Sequence, residues 1–212
     1  VIGAAMAAAT TAVVGLGSAY ETSMAKASTL FGDVAVDTEN LNGKILSLSG
    51  SSGKAASELN ETLYQALSAG VPVTEDMGQA LNAVEAASKL ATSGFTTSAS
   101  AIDVMTTAAN AYSDAGYEMS EISDILLMTQ NKGKTTVDEL ASSLGRVLPV
   151  ASAYCVSLED VGAAEATMTA NGIATAESTT YLKGMLNELG DSGSGVSKIL
   201  QEKTGMAFAQ LM

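Results

Sequence analysis

Five acidic residues in the second half of the chain are the candidates for chemistry: Glu159, Asp160, Glu165, Glu177 and Glu188. Two carboxyl groups can share general acid–base work of the glycosidase kind when their surroundings drive their pKa values apart. All but one of these five fall in first helical turns or on polar helix faces, where capping accounts for them. Glu165 stands mid-helix among alanines, and burial there would perturb it enough to matter. The 212 residues include no histidine, which removes most nucleophile–base pairs and the common transition-metal sites. Cys155, the single cysteine, admits no internal disulfide and reads as a small buried apolar residue at a helix end. Gly193-Ser194-Gly195 follows no strand, so it is no phosphate loop. These residues predict no catalytic, cofactor-binding or metal-binding site, and no enzyme.

The stretch that must position Glu165 runs from Thr135 to Gly190. Thr136 to Glu139 reads T-x-x-E, a capping box in which hydroxyl and carboxylate each take a backbone amide. Ser157 and Asp160 repeat the pattern with a shorter acid. Gly172 closes a helix in the left-handed conformation, and Thr175 opens the next. Leu140, Leu144, Val147 and Leu148 share one helical face; so do Val161, Ala164 and Met168, and then Leu182, Met185, Leu186 and Leu189. Pro149 should kink or shorten its helix.

Upstream, residues 21–31 are amphipathic, and a short helix over about 38–48 places Leu41, Ile45 and Leu48 together. Ser49 to Gly53 (SGSSG) reads as a flexible link. A helix over about 55–69 turns Leu59, Leu63, Ala66 and Leu67 inward. Thr74 is the expected cap of the next, with Glu75 and Asp76 favouring its positive end. Later helices start at Thr97 or Ser98, with Ile102, Met105, Ala109 and Tyr112 as the face, and at Ser120, with Ile122, Ile125, Leu126 and Thr129. Helix starts recur on roughly a twenty-residue beat without defining a repeat family. Asp191 to Gly195 reads as a linker before a short helix at Val196, Ile199 and Leu200.

The fold class is therefore all-α: about eight to ten short amphipathic helices joined by tight Gly, Pro and capped turns as helical hairpins. Three regions are expected: an Ala-rich N-terminal helical arm (1–48), a compact helical domain (54–190), and the start of a linker or further helical region (191–212). The chain opens on Val1 and stops at Met212 in mid-pattern, which suggests an excerpt of a longer unit. Residues 1–20 carry no charge and leave two readings, a helix packed in protein and a membrane-entering segment. The ten methionines read as plastic core filling. The abundant Ser and Thr read as caps.

Net charge is −13, from 23 acidic and 10 basic residues. The basic residues are scattered rather than clustered, which argues against duplex binding. An acidic surface would let DNA pass without sticking.

Three stretches carry a resemblance: LNETLYQALSAGVPVTEDM (59–77), ILLMTQNKGKTTVDELASSLGRVLPVA (125–151) and the run from Val156 to Gly190. They resemble phage tail tape measure proteins of the TP901-like, minor-tail type, found in phages and prophages of Gram-positive bacteria. The resemblance spans about Tyr20 to Met212 and corresponds to the N-terminal part of such a protein. It implies a structural role: several copies lie in the tail tube, template its polymerisation, set its length and leave ahead of DNA. The implied partners are the tail tube protein, tail assembly chaperones, tail tip proteins and further copies of the chain. Specific nucleic-acid binding is not implied; contact with the host membrane during ejection is. The implied location is the virion tail, or the host cytoplasm during assembly. The family motif brings no catalytic residue, and nothing here matches the peptidoglycan hydrolase domain that some relatives carry elsewhere.

A ruler is best made of uninterrupted helix, at ~1.5 Å per residue. The frequent breaks in this chain predict a compact module attached to a longer rod. The alternative is a membrane-active helical protein that assists envelope penetration through residues 1–20, testable by liposome leakage lost on their deletion. A hydrolase would instead show cell-wall clearing sensitive to Glu165→Gln.

Overall fold

With only Pro72 and Pro149 to bar it and alanine in abundance, the chain is free to form helix almost anywhere. The computed structural model describes residues 17–211, and these form helices and turns with no strand among them. The expected N-terminal segment lies, as far as residue 16, outside the described residues. No helix among those described is long and apolar enough to cross a membrane. The chain divides into two compact units, residues 1–89 and 90–212.

In the first unit, α1 covers residues 17–28 and α2 runs from Thr38 to Ser52. The Asp37 carboxylate accepts the Asn40 amide at the start of α2, and Gly53, at φ 70°, ends it. Ser49 to Ser52 are thus the last turn of α2, not a flexible link. Ser52 stays helical by donating its hydroxyl to the Leu48 carbonyl at 2.7 Å, and left-handed Gly53 supplies the break. Helix α3 (Ala56–Ser68) turns Leu59, Leu63, Ala66 and Leu67 inward as their spacing predicts. These leucines pack with Ala27, Phe31, Leu41, Ile45, Met77, Ala80 and Val84 in one core.

Thr74 does not cap α4 (Gly78–Ser93). Its hydroxyl instead donates to Asp76, whose carboxylate accepts the Gly78 amide at 3.1 Å. The Gly78 amide and then the Thr74 hydroxyl hold the Asp76 carboxyl below its usual range.

The division between the units falls inside α4, at Lys89 and Leu90. The second unit continues with α5 (Ser98–Ala111), α6 (Met119–Lys132), α7 (Val137–Ser143), α8 (Leu148–Ala153), α9 (Leu158–Ala170), α10 (Thr175–Gly190), α11 (Gly195–Thr204) and α12 (Phe208–Leu211). Thr97 caps α5 through the Ser100 amide, as expected. Helix α6 starts one residue before Ser120, where the Glu121 carboxylate accepts the Glu118 amide at 2.9 Å. Pro149 breaks the helix as predicted: α7 stops at Ser143, a 3-10 turn covers Leu144–Arg146, and Pro149 opens α8 in its first turn. The expected linker after Gly190 is a four-residue turn, because Ser194 caps α11.

Helix α9 packs on both α6 and α10. Two glycines set the α6–α9 distance. A Cβ on Gly162 would meet Thr129 Oγ1 at 2.5 Å, and one on Gly133 would meet the Ala166 backbone at 2.9 Å and Thr169 Oγ1 at 2.5 Å. This closeness corrects the expected inner face of α9. Ala164 and Met168 are only half-buried, while Gly162, Glu165, Ala166 and Thr169 are buried beside Val161. The methionines are also less internal than their spacing suggests. Met77 and Met105 are buried, whereas Met128, Met185 and Met206 are each about half exposed or more. Helix α10 buries Leu182 and Leu186 but leaves Met185 outside.

Gly133→Ala and Gly162→Ala should each cost about 1–3 kcal/mol, the usual range for overpacking. Gly184, mid-helix in α10, has open space where a Cβ would stand. Gly184→Ala should therefore stabilise by about 0.5–1 kcal/mol through helix propensity. Urea unfolding midpoints of the three variants check both signs.

Candidate functional site

The capping box that opens α7 does more than start a helix. Glu139 donates its amide to Thr136 Oγ1, and Glu139 Oε2 accepts the Thr136 amide, both at 3.2 Å. The same Oε2 also accepts from Thr135 Oγ1 at 3.2 Å and from Thr175 Oγ1 at 3.0 Å. Thr175 opens α10 as its first residue, as expected, and its hydroxyl is spent across the turn, at 2.7 Å from Thr135 Oγ1 and within reach of Glu139. Beside it, the Lys134 amide donates to Thr169 Oγ1 at 3.1 Å, and Gln130 Oε1 accepts the Val137 amide at 2.8 Å. The turn between α6 and α7 is thus pinned to α9 and α10 by side-chain oxygens.

Glu165 lies next to this cluster and is fully buried. Ser178 Oγ on α10 is hydrogen-bonded to its Oε2, and Oε1 has no partner. Burial pushes the Glu165 carboxyl above its usual range, while the Ser178 and Thr179 hydroxyls pull the other way.

The other four acids are elsewhere. Glu159 accepts from the Tyr117 hydroxyl, and Asp160 accepts from Ser157 Oγ at 2.6 Å. The Ser157 hydroxyl accepts the Asp160 amide, so the hydroxyl half of the expected box is present. Glu177 accepts from the Tyr181 hydroxyl on its own helix, and Glu188 is exposed. The Glu165 carboxyl is shifted by its burial and by the two α10 hydroxyls, while the other four acids make their own contacts or lie exposed. Tyr112 is buried, donating its hydroxyl to the Val156 carbonyl at 2.9 Å. Burial, then the neighbouring Tyr117, Glu159 and Asp160, push that hydroxyl above its usual range.

Cys155 corrects the sequence reading. It is exposed, and at φ 61° it occupies the left-handed position after α8 where glycine is usual. The amide after it, at Val156, donates back to the Ala151 carbonyl and completes the turn. The cysteine thus faces out because the backbone reverses there, whatever its apolar preference.

One feature had no sequence signal strong enough to find it. A groove of about 470 Å³ lies between α6 and α9, lined chiefly by Ile125, Met128, Thr129, Gly162, Ala163 and Ala166, with Glu159 and Lys132 among its polar residues. The small residues of α9 leave the space. No three acidic, Cys or His residues among those described are grouped to hold a metal ion.

Short capped helices tied by side-chain oxygens, with the acids used as caps and tethers, define a structural helical module. Comparison with known proteins gives the family. The model of the phage-related minor tail protein family matches residues 42–212, and the chain belongs to that family. The chain is 45% identical over 202 residues to a probable tape measure protein of Clostridium phage phiCD119 (92% of this chain). It spans 21% of that relative's length. No solved structure matches.

Glu139→Ala removes one acceptor that serves three donors, and should cost about 1–2 kcal/mol in urea unfolding. Exposed Glu202→Ala on α11 is the control and should stay within about 0.5 kcal/mol. Cys155 should react with a thiol reagent in the native chain, one equivalent per chain, as fast as in urea.

Proposed function

We propose that this chain is a segment of a phage tape measure protein, a structural tail component that templates tube assembly, sets tail length and leaves ahead of DNA. The observation that carries the reading is the 45% identity to a probable tape measure protein, sustained over 92% of the chain. An acidic, helical segment suits a tube lumen: a net charge of −13 repels DNA that must later slide past. The working partners on this reading are the tail tube protein, assembly chaperones, tail tip proteins and further copies of the chain. It acts in the virion tail, after assembly in the host cytoplasm, and carries no enzymatic step.

Within that role we infer an assembly module in place of a stretch of ruler. Helices α4 and α10, at 16 residues each, are only about 24 Å long. Glycine, proline and caps interrupt the helices between them, and side-chain hydrogen bonds fold the pieces back on one another. We assign the assembly role to residues 54–190, which hold α3 to α10.

An in-frame deletion of residues 54–190 in the intact phage gene tests this by electron microscopy of the tails. An assembly module predicts loss of tails. Tails shortened by roughly 200 Å, at ~1.5 Å per residue of helix, would mean the segment is extended and counts as ruler. Tails of unchanged length would contradict both roles.

A further inference from the structure

Glu165 is buried without a cation. The ion pairs among the described residues, Lys26–Glu61, Lys54–Glu58 and Lys89–Glu85, are elsewhere. Of the titratable residues on the helices packed against α9, Glu121, Asp124 and Lys132 on α6 and Glu177, Tyr181 and Glu188 on α10 are exposed. Lys183 on α10 is half-buried, and α8 has no titratable residue. Glu139, from α7, spends its carboxylate on Thr135, Thr136 and Thr175. None of these groups acts on Glu165; the Ser178 and Thr179 hydroxyls do.

Those hydroxyls bring two hydrogens. The Thr175 carbonyl also lies in reach of both, at 2.9 Å from each oxygen. Two hydrogens must therefore serve the Thr175 carbonyl and both carboxyl oxygens, and Oε1 is left bare. An ionised carboxylate offers about four acceptor positions, and leaving a charge in that state inside a protein is the costliest arrangement available. A neutral acid removes the charge, brings a third hydrogen and frees Ser178 to donate to Thr175.

We propose that Glu165 is a proton-binding site of the folded second unit: its neutral carboxyl donates to Ser178 Oγ, ties α9 to α10, and on losing its proton lets this helical hairpin open. The raised carboxyl pKa has the matching sign. The folded chain holds the proton more tightly than the unfolded chain. Below the ordinary glutamate value of about 4.3 both forms are protonated, and the effect on stability is nil. As pH rises from there to the folded value, the opening constant grows by up to tenfold per pH unit, and above the folded value it levels off. The site is a property of this chain and stands or falls independently of the tail-assembly role.

The test uses the 212-residue chain. Amide exchange over residues 158–190, corrected for intrinsic rates, should show opening that rises with pH in the wild type. In Glu165→Gln, whose amide mimics the neutral acid, the rise should be absent and protection at neutral pH greater. Infrared difference spectra, wild type minus Glu165→Gln, supply a second readout. The wild type should show one protonated-carboxyl stretch that persists, as pH rises, after the exposed carboxyls have ionised. Absence of that band, or the same pH-dependence of opening in wild type and Glu165→Gln, would overturn the proposal.

Discussion

The second unit depends on how closely α9 lies against α6. Gly133 and Gly162 remove two Cβ atoms where the nearest facing atoms stand 2.5–2.9 Å from where those carbons would be. Close approach then places Thr129 and Thr169 at the contact, each returning its hydroxyl to its own helix, at the Ile125 and Glu165 carbonyls. Buried hydroxyls are satisfied locally, and the two backbones can meet without stranding a polar group. A larger residue at either glycine would move α9 as a body, and with it everything α9 carries.

What α9 carries is the link to α10. Its Thr169 takes the amide of Lys134, and its Glu165 meets Ser178, while Thr175 reaches back to Glu139. The polar contacts thus run from the α6–α7 turn through α9 to the start of α10. Polar networks of this kind are directional, so they specify one packing of small-residue helices that apolar contact would specify poorly. They also make the unit sensitive at one place. Oε1 of Glu165 is the atom the network leaves unserved.

Much of this was legible in the sequence because it is local. Thr136 with Glu139, Thr97, Gly172 and Pro149 act within a turn or two of themselves, so residue type and spacing suffice. The family was legible for a different reason: long ordered runs such as residues 125–151 resemble other tail proteins. The misses share a cause. That the Thr175 hydroxyl, at the start of α10, tethers the helix to Thr135 and Glu139 depends on residues 40 and 36 positions away. Met168 is only half-buried while Glu165 is fully buried, because α9 has neighbours on two sides, which periodicity on one helix cannot reveal. Cys155 faces solvent because of its φ, and Phe95, 92% exposed at φ 54°, closes α4 in the same way. A Cβ on the adjacent Gly94 would stand 2.8 Å from Val137, so that glycine is used for close approach and the left-handed turn falls to phenylalanine.

The most direct test is a nuclear Overhauser measurement on the 212-residue chain, between the side-chain protons of Thr129 and the α-protons of Gly162. The account predicts a strong cross-peak, with a matching one between Gly133 and Ala166, because the two backbones meet at those glycines. Helical chemical shifts in 119–132 and 158–170 with neither cross-peak would show α6 and α9 formed but apart, and would contradict it.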